Sequence, residues 1–184
     1  MCFMAIAMVG CTTLRPLDLD SSGRFSTSTA ASPSDVQTRK PFLSGYRRML
    51  YVKFDENEAE NAEITEFFLE SFGNMRIFEK IVQKQDMEQI VVANDLTNKV
   101  TNVSDFVGLS VIRKSVGPFL VVEPRVRWDE GRHKYLASLR ATDPDTAAAV
   151  FYFEKYAIDL AGLDKPLLYP MLNAFLDWAS PADM

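Results

Sequence analysis

Alternating apolar and polar positions mark the strands of this chain. From Arg48 to Phe54, Leu50, Val52 and Phe54 fall on one side and Met49, Tyr51 and Lys53 on the other, the period of two that a pleated strand presents. Phe119 to Trp128 repeats the pattern over a longer run, with Val122, Pro124, Val126 and Trp128 set against Glu123, Arg125 and Arg127. The turn Asp129-Glu130-Gly131-Arg132 then predicts a hairpin returning from His133 to Ala141. Pro124 has no N–H to give to a ladder and implies an edge or a bulge. Ile77 to Val82 reads as a further short strand.

Helical spacing separates these strands. Ala62 to Met75 carries Ile64, Phe67, Phe68 and Phe72 on one stripe and stops at Gly73-Asn74. Asp86 and Gln89 fit a capping box that opens a helix with Met87, Ile90 and Val91 inward. Ser104 caps the next helix, whose buried face is Phe106, Leu109, Ile112 and Val116, and Gly117-Pro118 closes it. Two more helices are expected, from Thr146 to about Leu160 with Val150, Phe153 and Ala157 inward, and from Leu167 to Ala179 with Leu168, Leu172, Phe175 and Leu176 inward. The series predicts an α/β (α+β) fold, a mixed sheet of about four to five strands with helices packed on it.

Composition narrows the function. The chain has 184 residues, 47% of them hydrophobic, enough for one core. Its net charge of −5 argues against general nucleic-acid binding, because no excess of cations is present to displace phosphate counterions. One His and two Cys leave little material for zinc or Cys–His chemistry. No GxSxG, HExxH, Walker loop or GxGxxG occurs, so no cofactor is expected.

Before Thr12 the pattern changes to an unbroken apolar run, Met1 to Val9, followed by Gly10 and Cys11. It is too short to span a bilayer and has the length of the hydrophobic region of a secretory signal. A small residue directly before a cysteine at the end of such a run resembles the lipobox of bacterial lipoproteins, with Met8 where Leu is usual and no Lys or Arg ahead of the run. The resemblance implies a signal peptide over 1–10, cleavage before Cys11, a lipid-bearing Cys11 sulfur and attachment to the bilayer. Thr12 in place of the Asp of inner-membrane retention favours the outer membrane, facing the periplasm. From Thr12 to Lys40 the chain is rich in Ser, Thr, Ala and Asp without periodicity. It reads as a flexible tether (11–40) of about 30 Å reach, ahead of a single α/β domain over 41–184.

The segments FLESFGNMRIF, EKIVQKQDMEQIV and GPFLVV resemble a pattern in a group of envelope lipoproteins. The group comprises the curli-secretion lipoproteins, the lipoprotein activators of peptidoglycan synthases and the amino-terminal domain of the TolB type. The matching positions are Phe78, Val82, Asp86, Met87, Glu88, Ile90 and Gly117, within roughly residues 48–142. Lys84-Gln85 stands where an Arg precedes the Asp in the group. These are core and cap positions, so the resemblance implies a fold and not an activity.

The remaining chemistry is sparse. His133 reads as a surface residue beside a turn, and Glu123 and Asp129 stand about 20 Å apart along one strand, beyond the reach of an acid–base pair. The acidic run Asp55, Glu56, Glu58, Glu60 and Glu63 reads as a solvated loop at a helix start and not as a calcium site. Arg125, Arg127, Trp128, Arg132 and Lys134 form a basic and aromatic cluster on the hairpin, residue types enriched at binding hot spots. The expectation is therefore a non-enzymatic accessory protein, lipid-anchored through Cys11, which recruits an envelope protein through Arg125, Arg127, Trp128 and Arg132. An oligomeric subunit of a secretion or envelope assembly, a homo-oligomer included, is one alternative. A carboxylate-based enzyme or small-ligand binder is the other.

Overall fold

The computed structural model describes residues 18–55, 62–158 and 164–180. Cys11, the apolar run before it and Glu56 to Glu60 of the acidic run lie outside the described residues. Six strands form one mixed sheet: β1 (Val36–Arg39), β2 (Leu50–Val52), β3 (Ile81–Val82), β4 (Leu120–Asp129), β5 (Lys134–Asp143) and β6 (Ala148–Ala157), in the order β1-β6-β5-β4-β2-β3. β2 is parallel to both β3 and β4, and the other pairs are antiparallel. Among the described residues four α-helices accompany the sheet: α1 (Ala62–Asn74), α2 (Lys84–Ala93), α3 (Phe106–Val116) and α4 (Tyr169–Ala179). None is long and apolar enough to cross a membrane.

The parallel strands dictate the layering. A parallel pair needs a crossover, and the α-helix in it covers a face of the sheet. α1 joins β2 to β3 and packs with α4 on one face, where Phe67, Phe68, Phe72 and Phe175 meet Val122, Leu139, Phe151 and Phe153. α2 and α3 join β3 to β4 and bury Met87, Val91, Leu109 and Ile112 against Tyr51, Phe119 and Val121 on the opposite face. This second core reaches only the first residues of β4. Among the described residues, no helix lies on that side of the longer part of β4, β5 and β6.

Pro124 sits inside a central strand without breaking it. The Leu120 N–H donates to Met49 O and Val122 O accepts from Lys53 N, so even-numbered residues of β4 turn their backbone groups toward β2. Pro124 shares that parity, and β2 ends at Val52 opposite Val122. Its missing N–H would have pointed past the end of β2, so the ladder to β5 is intact.

Three expectations are corrected. Thr146 to Leu160 is not a helix, because β6 occupies Ala148–Ala157 and pairs with β5 along its length. Phe151 and Phe153 enter the core while Tyr152, Glu154 and Tyr156 face the other way, a period of two that overrides the helix preference of Ala147 to Ala149. Helix starts move slightly. Gln83 is the N-cap of α2, with Asp86 at N3 accepting from the Gln83 N–H at 2.9 Å, and Asp105, not Ser104, caps α3 by accepting from Gly108 N at 2.7 Å.

The third correction concerns the tether. From Asp18 to Lys40 the chain is a strap docked on the domain, so the domain does not begin at Pro41. α4 explains it: among its eleven residues all but Asp177 are buried, and a helix apolar on every side needs cover on every side. Phe25, 1% exposed, stacks on Tyr169 with ring centres 5.4 Å apart. The Asn173 side chain accepts from Phe25 N and donates to Phe25 O, each at 2.9 Å. Arg24 grips Asp177 through two bonds of 2.7 and 2.8 Å, and β1 then joins the edge of β6.

A polar tie, its Tyr46 and Asp143 buried, fixes the end of the sheet below α3. Arg113 reaches Asp145 at 3.3 Å and stands 3.6 Å from Asp143, whose carboxylate also holds the Asp145 N–H at 2.9 Å. Tyr46 gives its hydroxyl to Asp143, and burial, then the Asp143 charge, pushes its phenol up to about 12. A raised folded pKa contributes stability that is complete below the unfolded value of about 10 and is lost as pH rises toward 12. We expect this phenol alone to remove about 2–3 kcal/mol of stability across that window. Tyr46→Phe is expected to be weaker at pH 8 by about 1–3 kcal/mol, having lost a hydrogen bond to a charged acceptor, and to lack this alkaline loss. Urea denaturation of both proteins from pH 8 to 12 checks it: the two stability curves converge.

Candidate sheet-face site

The uncovered face of β4, β5 and β6 is a grid set by strand register. Glu123, Arg140 and Tyr152 stand in one row; Arg125, Ser138 and Glu154 in the next; Arg127, Leu136 and Tyr156 in the third. Ser138 is the small residue in the middle and is 8% exposed, although no helix among the described residues lies over it. The long side chains around it provide that cover. A cavity of about 280 Å³ opens there, bounded by the α3 residue Phe106, by Thr142 of β5 and by Ala147 just before β6.

Each charged group on this face has a definite setting. Lys53 Nζ pairs with Glu123 at 2.8 Å, with both side chains largely buried, and lies 5.7 Å from the centre of the Phe106 ring. Tyr152 donates to Glu154 at 2.6 Å, and burial, then that bond, raises its phenol above the usual value and keeps it a neutral donor. The Arg140 guanidinium lies over the Tyr152 ring at 5.1 Å. Arg125 stands 3.9 Å from Asp55 with its side chain half exposed. Among the described residues, neither Arg127 nor Arg140 has a carboxylate within ion-pair distance.

The structure keeps Arg125, Arg127 and Arg132 together and separates Trp128 from them. Arg132 folds back from the turn over the Tyr156 ring at 4.3 Å, toward the row that holds Arg127. Trp128 projects from the opposite face beyond the aromatic core, 47% exposed and edge-on to Tyr135 at 4.9 Å. His133 and Lys134 are exposed at the hairpin tip. Sequence reasoning missed Ser138, Arg140, Tyr152 and Glu154. The available signal was the alternation of Tyr152, Glu154 and Tyr156, which supplies the third member of each row only when that stretch is a strand. Among the described residues no group of three His, Cys, Asp or Glu side chains could hold a metal ion.

No family model matches the chain, and no curated protein matches it. Solved structures give distant likenesses. The PelC dodecamer from Paraburkholderia phytofirmans aligns with a TM-score of 0.40 and 12% identity over 78% of this chain and 95% of that one. A variant of the same protein in another crystal form gives 0.37 and 11% over 79% and 97%. A Helicobacter pylori protein assigned as a neuraminyllactose-binding hemagglutinin homolog gives 0.30 and 11% over 65% and 66%.

Proposed function

We propose that this chain is a lipid-anchored accessory protein of the bacterial envelope that recruits a partner through the uncovered face of β4, β5 and β6. The observation that carries the reading is that face itself. Arg125, Arg127 and Arg140 share one side of a three-strand platform with Tyr152 and Tyr156, on a sheet whose other side is filled by α1 and α4. Arginine and tyrosine on a preformed surface lose little freedom on binding and present both fork-like donors and apolar area. The Gly10-Cys11 step supports a diacylglycerol anchor at Cys11 after signal removal, with the outer membrane as destination. The role proposed is non-enzymatic.

Two measurements test it. Cells expressing the full chain and fed a clickable palmitate analogue are expected to label the protein, and Cys11→Ala to abolish the label; an unlabelled wild type removes the anchor. Replacing Arg125 and Arg127 together by Ala is expected to weaken partner crosslinking in intact cells at least tenfold. Stability should change by about 0.5 kcal/mol or less, since both are exposed on a strand. A large drop in melting temperature with unchanged crosslinking would show that these arginines serve packing instead.

A further inference from the structure

We propose that the cavity over Ser138 binds a small hydroxylated monocarboxylate of uronic-acid type, either free or as the acidic unit of a glycan. The proposal rests on the partner-recruiting reading for its biological setting and on the cavity alone for its chemistry.

Charge decides the first part. Two guanidiniums, Arg125 and Arg140, and one carboxylate, Glu123, line the cavity. Among the described residues Arg140 lies over Tyr152 with no carboxylate within ion-pair distance, Arg125 stands 3.9 Å from Asp55, Glu123 is paired with Lys53, and the neighbouring Glu154 accepts from Tyr152. The cavity walls therefore carry cationic forks in excess, and a guanidinium suits a carboxylate because two parallel N–H donors match its two oxygens. Tyr152 fixes the plane of Arg140 before any ligand arrives, which lowers the ordering cost of binding.

Glu123 decides the second part. It lines the same cavity, so a second carboxylate on the ligand would meet a like charge there, whereas a ligand hydroxyl donates to it. Ser138 and Thr142, 8% and 2% exposed, supply further hydroxyls at the base. An apolar occupant would leave these polar groups without partners, at a cost that disfavours it. Size sets the rest. About 280 Å³ lies just under the roughly 300–1,000 Å³ of pockets for drug-sized ligands, room for one ring and too much for a bare anion.

The test is an amide chemical-shift titration of the full chain in detergent with sodium glucuronate. Saturable shifts are expected at Glu123, Ser138 and Arg140, with glucose and glutarate at the same concentration producing none that saturate. Arg140→Gln is expected to weaken glucuronate at least tenfold, and Ser138→Leu, which fills the base, to abolish binding, both with a wild-type spectrum elsewhere. Tighter binding of a glucuronate oligomer than of the monomer identifies a glycan as the source, and equal binding identifies the free acid. The proposal is overturned by an absence of saturable shifts, by glutarate or phosphate competing equally, or by Arg140→Gln binding as the wild type does. None of these outcomes bears on palmitate labelling or on the Arg125 and Arg127 crosslinking result, so the two readings fail separately.

Discussion

Phe175→Ala is expected to lower stability by about 3–5 kcal/mol, the range for removing a large aromatic from a packed core. In a chain of this size that corresponds to a fall of roughly 6–20 °C in melting temperature. The ring is a hub, with centres 5.6 Å from Phe72, 6.2 Å from Phe78, 5.7 Å from Phe151 and 5.6 Å from Trp178. Those four come from α1, the segment before β3, β6 and α4 itself, so one substitution loosens every layer on that side of the sheet. Phe175→Leu should recover more than half of the loss by refilling most of the volume. A fall below about 1 kcal/mol for the Ala variant in urea denaturation would show that α4 does not close this core.

Asn173→Ala is expected to release the strap. The substitution strands a buried N–H and a buried C=O of Phe25, each worth about 1–3 kcal/mol when left without a partner, and so about 2–6 kcal/mol together. Much of that cost is expected as local opening, because the two bonds tie down the stretch around Phe25 while β1 stays laddered to β6 and Lys155 still holds Thr29 and Ala30. Amide exchange over residues 20–36 should rise at least tenfold while β4 and β5 keep their protection. The exposed Arg24–Asp177 pair contributes far less, about 1 kcal/mol or under, so Asp177→Asn should leave exchange there nearly unchanged. Unaltered exchange in Asn173→Ala would mean that other contacts secure the strap.

What the sequence made legible follows from the kind of signal each element carries. α1 and α4 announce themselves through stripes of Phe and Leu, and β4 through strict alternation beside charged neighbours. β6 carries both periods at once. Val150, Phe153 and Ala157 satisfy a helix while Phe151, Phe153 and Ala157 satisfy a strand, and three consecutive alanines tip the local preference to the wrong side. Only pairing with β5, a contact distant in physics from any local window, settles it. The strap was illegible for another reason: its buried anchor is one phenylalanine gripped by one asparagine, and no periodicity reports a side chain that bonds a backbone 148 residues away. The candidate site inherits both limits. Arg125, Arg127 and Arg132 were visible as residue types on the hairpin, but their neighbours Ser138, Arg140 and Tyr152 become a surface only through the register of three strands.

The docked strap also sets a standing height. With Leu19 already packed against the globule, eight Cα steps separate it from Cys11, and a fully drawn-out chain covers at most about 3.6 Å for each. An acylated Cys11 would thus moor the globule within about 30 Å of the lipid headgroups, close enough to graze them. If Cys11 carries lipid, so short a mooring would confine encounters to a thin shell beside the membrane, and a partner would have to be embedded there or come within arm's length of the bilayer.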